Sequence, residues 1–383
     1  MVARRRFLQL GVGAALGAGP FINIGAFQVF AGSTATYSTR TVELVLNSPV
    51  VDMLSLFNLE KIFTAAATGG NPLVFSREEL LAIKQSGIDI FHPATGISGP
   101  NAHIGVLAFM AACNGLVAEF PDLLVRVGSA ADLRRAVAEG KLGIIPGVQN
   151  SDHFRSVQDV RSFHQLGQRV SQLTYNTQNL IGSGSTDRVD GGISDFGAQI
   201  VQAMNEVGMA VDVSHCGDRT TLDAFEISTR PVLITHSNCR ALVAGHPRCK
   251  SDEAIKAMAR SGGAMGIAAL RNFVTPQEPV TLDSYIDHID HVARIAGLEH
   301  VGIGSDADLH GYDDLPGPIL ERFKASFKST YGFRDRIDIE GLDHPKKMFD
   351  LVAGLIRRGY RDEQIRAVLG GNFSRVLAAI WGS

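Results

Sequence analysis

A chain of 383 residues, 45% hydrophobic and 20% charged, has the apolar mass for a large globular core, either one α/β barrel or two medium domains. A net charge of −3 gives no support to nucleic-acid binding, and 41 glycines suit a fold with many tight strand-to-helix turns.

The N-terminus reads as a targeting segment. Arg4-Arg5-Arg6-Phe7-Leu8-Gln9-Leu10 fits a twin-arginine export signal, with Arg4 and Arg5 as the pair, and a weakly apolar Gly/Ala stretch follows to Pro20. Val29-Phe30-Ala31 places small residues for cleavage after Ala31. The expectation is therefore a twin-arginine-exported protein, periplasmic or extracytoplasmic. An uncleaved membrane anchor is the other outcome, disfavoured because Pro20 and the glycines make a poor spanning helix. Residues 1–31 carry three arginines and no acid, so their removal takes the net charge from −3 to −6. No other stretch reads as transmembrane. Residues 32–383 are expected to form one barrel domain with C-terminal helices. The four cysteines show no CxxC spacing and choose no disulfide pair; Cys216 reads as structural.

Eight short apolar, β-type runs follow: 49–56, 87–92, 142–149, 170–176, 209–215, 231–236, 263–270 and 300–306. Helical patterns lie between them. Ser76-Arg77-Glu78-Glu79 has the form of a capping box. A helix is expected from Ser194-Asp195 to Gly208, and another from Leu282 to Ala296, stopped by Gly297. The longer spacing between the second and third runs predicts an extra helix, and the tail from Met348 predicts helices packed on the barrel. Eight strands alternating with helices indicate an α/β fold, a (β/α)8 TIM barrel.

In such barrels the chemistry sits at the C-terminal strand ends. Two consecutive runs end in His215 and His236, which sets two imidazoles side by side on one rim, and neutral imidazole is a common zinc ligand. The last run ends in Gly304-Ser305-Asp306, a carboxylate across the mouth that can ligate a cation or act as a base. His92, Asp152 and His153 are alternative ligands, read as polar rim residues. Tyr175 and Asn176 read as satisfying loop backbone groups, and His103, His164, His288, His291 and His344 as solvated.

Ala210-Val211-Asp212-Val213-Ser214-His215, Pro231-Val232-Leu233-Ile234-Thr235-His236-Ser237-Asn238, Glu299 to Asp308, and Leu369-Gly370-Gly371-Asn372-Phe373-Ser374-Arg375-Val376 after Gly359-Tyr360 together resemble the membrane (renal-type) dipeptidase family, peptidase family M19. The similarity covers most of the chain after the signal and is strongest from about Asp195 onward. The resemblance implies a (β/α)8 metallohydrolase with zinc, two ions in the family. It matches His215 and His236 to the histidines of one metal, Asp306 to the strand-eight aspartate, and Arg248 to a substrate-carboxylate-binding arginine. It also marks departures. Leu54 and Leu56 stand where a His-x-Asp pair binds the other zinc, Gln149 stands where a glutamate bridges both metals, and Tyr175 stands in place of a substrate-contacting histidine.

The sequence thus predicts an exported dipeptidase-like hydrolase that cleaves an amide bond of a dipeptide or related small N-acyl amino acid with a degenerate first metal site. One zinc is held by His215 and His236 with Gln149 as a weak third ligand, Asp306 is the catalytic group, and Arg248 and Tyr175 contact substrate. The alternative is a non-catalytic barrel that binds a small molecule. Oligomeric state stays open, with the homodimer the commonest closed assembly.

Overall fold

The computed structural model describes residues 26–27, 36–58, 60–62, 70–71 and 73–382. Most of the expected signal segment lies outside the described residues. The antiparallel pair Ala26–Phe27 with Tyr37–Ser38 spans the expected cleavage point.

Eight parallel strands form the barrel: β1 (Val51–Asp52), β2 (Ile90–Phe91), β3 (Leu142–Ile144, resuming as Gly147–Val148), β4 (Val170–Gln172), β5 (Ala210–Asp212), β6 (Ile234–Ser237), β7 (Met265–Ile267) and β8 (Val301–Ile303). Strand β3 is interrupted at Ile145-Pro146; its first half pairs with β2 and its second with β4. Strand β8 pairs with β1 through Ile303 and Asp52. The bridge between Asp212 and Leu233 joins β5 to the approach of β6 and completes the ring, with Leu233 N donating to Val211 O at 2.8 Å. Each expected run overlaps its strand, the sixth ending one residue short of Ser237, yet the regular ladders are only two to four residues long.

Two buried aspartates account for part of that shortening. Asp212 accepts from the backbone N–H groups of Ser214 and Thr235, both at 3.0 Å, and Asp52 accepts from the N–H of Ser305 at 2.8 Å. A carboxylate standing in for carbonyl acceptors lets the chain leave the ladder with its N–H groups still satisfied. It does so immediately before the rim residues His215, His236 and Asp306.

The helices follow their end signals. Ser76 and Glu79 form the expected capping box, the helix Asp195–Val207 runs between a Ser194 cap and a left-handed Gly208, and the helix Leu282–Ala296 ends at Gly297. Between β2 and β3 lies more than one extra helix. An 18-residue helix, Ala102–Glu119, precedes a strand, Leu124–Arg126, that pairs with β3 outside the ring. Contrary to the sequence expectation, that helix is long and apolar enough to cross a membrane by length and composition. Its buried positions Ala102, Val106, Met110, Cys113 and Leu116 follow helical spacing and form a single inward face.

The C-terminal helices close the barrel floor. Phe373, Val376, Leu377 and Ile380 share a buried cluster with Val51, Ile90, Val170 and Ala210. Gly302 leaves room for this plug, since a Cβ there would lie 2.6 Å from the Phe373 ring. The floor is thus filled, and the cavity that reaches the C-terminal strand ends lies at the rim.

Candidate active site

His215 and His236 stand at the ends of β5 and β6, both fully buried, with their Nε2 atoms 2.9 Å apart. The hydrogen bonds around them set their tautomers. The Ser214 and Thr235 hydroxyls donate to the two oxygens of Asp212, at 2.6 and 2.7 Å. The Thr235 oxygen therefore accepts from His236 Nδ1–H, at 2.8 Å. Asn176 Oδ1, an acceptor, lies 2.7 Å from His215 Nδ1, which must carry its proton there. Each Nε2 is left as a lone pair, and the two lone pairs face one another. Burial first, then the charge of Arg248, holds both pKa values well below the ordinary histidine range, so both rings are neutral. Two facing imidazole lone pairs in a buried site repel unless a cation lies between them. This donor pair fits a zinc-type ion. Among the described residues, no third His, Cys, Asp or Glu completes a metal-binding cluster.

Asp306 follows β8 with φ at 51°, a left-handed conformation that aspartate tolerates better than most residues. Its N–H donates to Leu54 O at 2.8 Å and its carbonyl accepts from the Tyr312 hydroxyl at 2.6 Å, which anchors the turn. Its carboxylate is not held by any ion pair or hydrogen bond among the described residues. Burial pushes its pKa up to about 7, with Arg248 acting in the opposite direction and Asp52 adding to the rise. Asn176, the other non-glycine residue in this backbone region, has φ at 60° and orients His215. Its side chain thus meets His215 rather than satisfying loop backbone groups, as the sequence reading had it.

Asp306, Gln149 and Tyr175 line one cavity of about 230 Å³ at the rim. The Tyr175 ring stacks on His215 with centroids 4.2 Å apart. Gln149 donates its amide N–H to Ala94 O at 3.3 Å, leaving the amide oxygen as its acceptor group. Arg248, which the resemblance implies contacts substrate, lies close enough for its charge to act on Asp306 and Tyr175. It is 1% exposed, its guanidinium donates to the backbone carbonyls of Ser214 and His236, and it is absent from the cavity lining. In this position it ties the two histidine-bearing strand ends together.

Leu54 is fully buried and offers no ligand atom, and Leu56 lies in a short parallel pair with Asp308. His153 is spent on Asn150 O and Gln168 Oε1, and Asp152 accepts from Gly99 N. His92 donates through Nδ1 to Met53 O at 2.6 Å, and its buried Nε2 has no partner among the described residues. His288 and His291 are buried rather than solvated: His288 bonds Val274 O and the Cys239 N–H, and His291 bonds Asp252. All four cysteines are free and buried. The tautomer-setting Asp212, Thr235 and Asn176 escaped the sequence reading. A Thr directly before a strand-end His, facing an Asp on the preceding strand, is the signal that marks them.

The chain is similar to known proteins over most of its length. The model of the membrane dipeptidase family, peptidase family M19, matches residues 90–317 and 331–381. The chain belongs to the membrane dipeptidase family. Dipeptidase verJ of Clonostachys rogersoniana is 31% identical over 268 residues, which are 69% of this chain and 62% of that relative, so the match spans less than two thirds of the relative's length. An amidohydrolase from Pseudomonas aeruginosa superposes with a TM-score of 0.75 at 32% identity, over 90% of this chain and 99% of its own. A metallo peptidase from Rhodobacter sphaeroides, liganded with a phosphinate mimic of the dipeptide L-Ala-D-Ala, superposes with a TM-score of 0.72 over 87% of this chain and 99% of its own; at 18% identity it speaks to the fold alone. The barrel of this chain is thus that of the membrane dipeptidases.

Proposed function

We propose that the protein is a hydrolase acting on an amide bond of a small peptide-like substrate, with one divalent cation, zinc by ligand type, held by His215 and His236. The observation that carries this reading is the pair of facing Nε2 lone pairs with both tautomers locked. A bound cation would act there as a Lewis acid on the substrate carbonyl. The chain's own residues supply the remaining steps. Asp306, with a pKa near 7 and an unpaired carboxylate, takes a proton from the attacking water and returns it to the departing amine as the C–N bond breaks. Tyr175, kept as a neutral phenol by burial, offers a hydrogen-bond donor beside His215, and Gln149 offers its amide oxygen as a weak ligand. Leu54 and the neutral Gln149 argue against a second ion, because two divalent cations ~3.5–4 Å apart need anionic ligands between them.

Elemental analysis of protein purified without chelator, beside hydrolysis of a dipeptide panel, tests this reading. About one zinc per chain with measurable hydrolysis is expected. The incomplete ligand set favours a second reading, a barrel that binds a small molecule without chemistry, and neither metal nor turnover would establish it. Two zinc ions per chain would show that other residues replace the missing ligands.

We also propose export by the twin-arginine route, on the strength of Arg4-Arg5 before Phe7-Leu8. Changing Arg4 and Arg5 together to Lys should leave the protein in the cytoplasm, and unaltered export of that variant would refute the proposal.

A further inference from the structure

One wall of the cavity is a strap strung between two buried tyrosines of the segment after β8. Tyr312 donates its hydroxyl to Asp306 O at 2.6 Å and its N–H to Asp338 at 2.7 Å. The carbonyl of Tyr331 accepts from Asn272 Nδ2 at 2.7 Å and from His246 Nε2 at 3.0 Å. Between these two posts, from Asp313 to Thr330, no residue is buried. The helix within the strap, Gly317–Ala325, therefore has few of the packing contacts that hold a helix in place. Gly311 and Gly332 lie beside the posts with φ at 88° and 69°, a conformation open to glycine, and can serve as hinges.

The strap turns its apolar side inward. Leu315, Ile319, Phe323 and Phe327 recur at every fourth residue and are half-buried, while Glu321, Arg322, Ser326 and Lys328 are exposed. Phe323 and Phe327 line the cavity. Rings continue from them to the histidine pair: Phe323 to Phe327 is 5.2 Å between centroids, Phe327 to Tyr175 is 6.5 Å, and Tyr175 to His215 is 4.2 Å. A polar tie joins the strap to the loop after β4, where Lys328 Nζ donates to Thr186 O at 3.1 Å. Thr186 donates its N–H and its hydroxyl to the carbonyl of Asn176, the residue that orients His215. Most of the cavity lining lies inside the family match, but residues 318–330, with Phe323 and Phe327, fall between its two parts.

We propose that residues 313–330 are a lid that closes on a bound ligand, and that Phe323 and Phe327 make this chain select a peptide-like ligand with a large apolar side chain. The ligand's side chain supplies the lid with the buried contacts that it lacks when free, by dispersion and offset ring packing. The proposal rests on the hydrolase reading only for the place of the ligand, beside His215 and Asp306.

Titration calorimetry on the full metal-bearing chain would compare phosphinate analogues of Ala-Ala, Phe-Ala and Ala-Phe, which carry equal charge, each with either configuration at the second residue. At least one ring-bearing analogue should bind about tenfold or more tighter than the Ala-Ala analogue, from burial of the ring. Phe327→Ala should bring that ratio to within about twofold and leave the affinity for the Ala-Ala analogue unchanged. Hydrogen exchange on the parent needs no variant. Amides of residues 317–330 should exchange faster than those of the helix Asp195–Val207 in the free chain, and should slow about tenfold with the ring-bearing analogue only. Equal affinities, a ring preference that survives Phe327→Ala, lid amides untouched by the ring-bearing analogue, or binding of none of the three overturns the proposal. Dipeptide hydrolysis without ring preference overturns it and keeps the hydrolase reading; ring preference with lid protection but no hydrolysis upholds it and removes that reading.

Discussion

His236→Ala should lose nearly all bound zinc and all hydrolytic activity while the barrel remains folded. His236 donates one of two nitrogens that meet 2.9 Å apart, and among the described residues no third His, Cys, Asp or Glu completes the cluster. In the parent, a cation present at a hundredfold excess over its Kd should add about 2.7 kcal/mol of stability, read as a rise in the unfolding midpoint. The variant should show no metal-dependent rise. Its metal-free form should unfold close to the metal-free parent, because losing the facing lone pair offsets part of the cavity left by the ring. Thr235→Val removes only the acceptor that holds His236 Nδ1–H, and should weaken zinc about 10- to 100-fold, the usual range for a partner that orients a ligand. Zinc retained by His236→Ala would place the ligands elsewhere, with His92 and its unpartnered Nε2 the first alternative.

Asp306→Asn should lower kcat by about 100-fold or more, the scale of a positioned general base, with the zinc content unchanged. In the parent, kcat/KM should rise with pH as the Asp306 carboxyl ionises, because only the ionised carboxylate accepts the proton; with the cation bound this limb lies below the metal-free value of about 7, and the variant should lose it. Stability should move the other way. The folded-state pKa lies above the ordinary carboxyl value, so between about 4 and 7 the native state binds more protons than the unfolded chain, and stability falls as pH rises. Chelator-treated Asp306→Asn should therefore be more stable than chelator-treated parent at pH 8 by roughly 1–3 kcal/mol, with the two converging below pH 4. A merely structural aspartate would show the reverse, a loss of stability on substitution. An unchanged pH profile would remove Asp306 from the chemistry.

Much of this site is legible from the residues alone. His215, His236 and Asp306 each end a short β-branched run, and in a parallel barrel those ends must share one rim. The helix limits at Ser194, Gly208 and Gly297 were equally readable, because caps and left-handed glycines act through local backbone geometry. His288 shows where local reading stops. It sits on an amphipathic helix as a polar residue, and only packing brings it to the Val274 carbonyl and the Cys239 N–H, which remove any need for water. The fate of Arg248 was hidden for the same reason: nothing near it in sequence announces that the carbonyls of Ser214 and His236 will hold its guanidinium.

The sequence by itself determined the eight-stranded barrel, the rim on which its chemistry lies, and the residue types offered there, since hydrophobic period and strand direction are local properties of the chain. Tertiary structure alone decided which nitrogens carry protons, because that depends on Asp212 meeting Thr235 across 23 residues and Asn176 meeting His215 across 39. It alone also decided that Phe75 and Phe327, some 250 residues apart, line one cavity with Asp306. Contacts of that separation follow from how the strands close into a ring, which no stretch of the chain encodes alone.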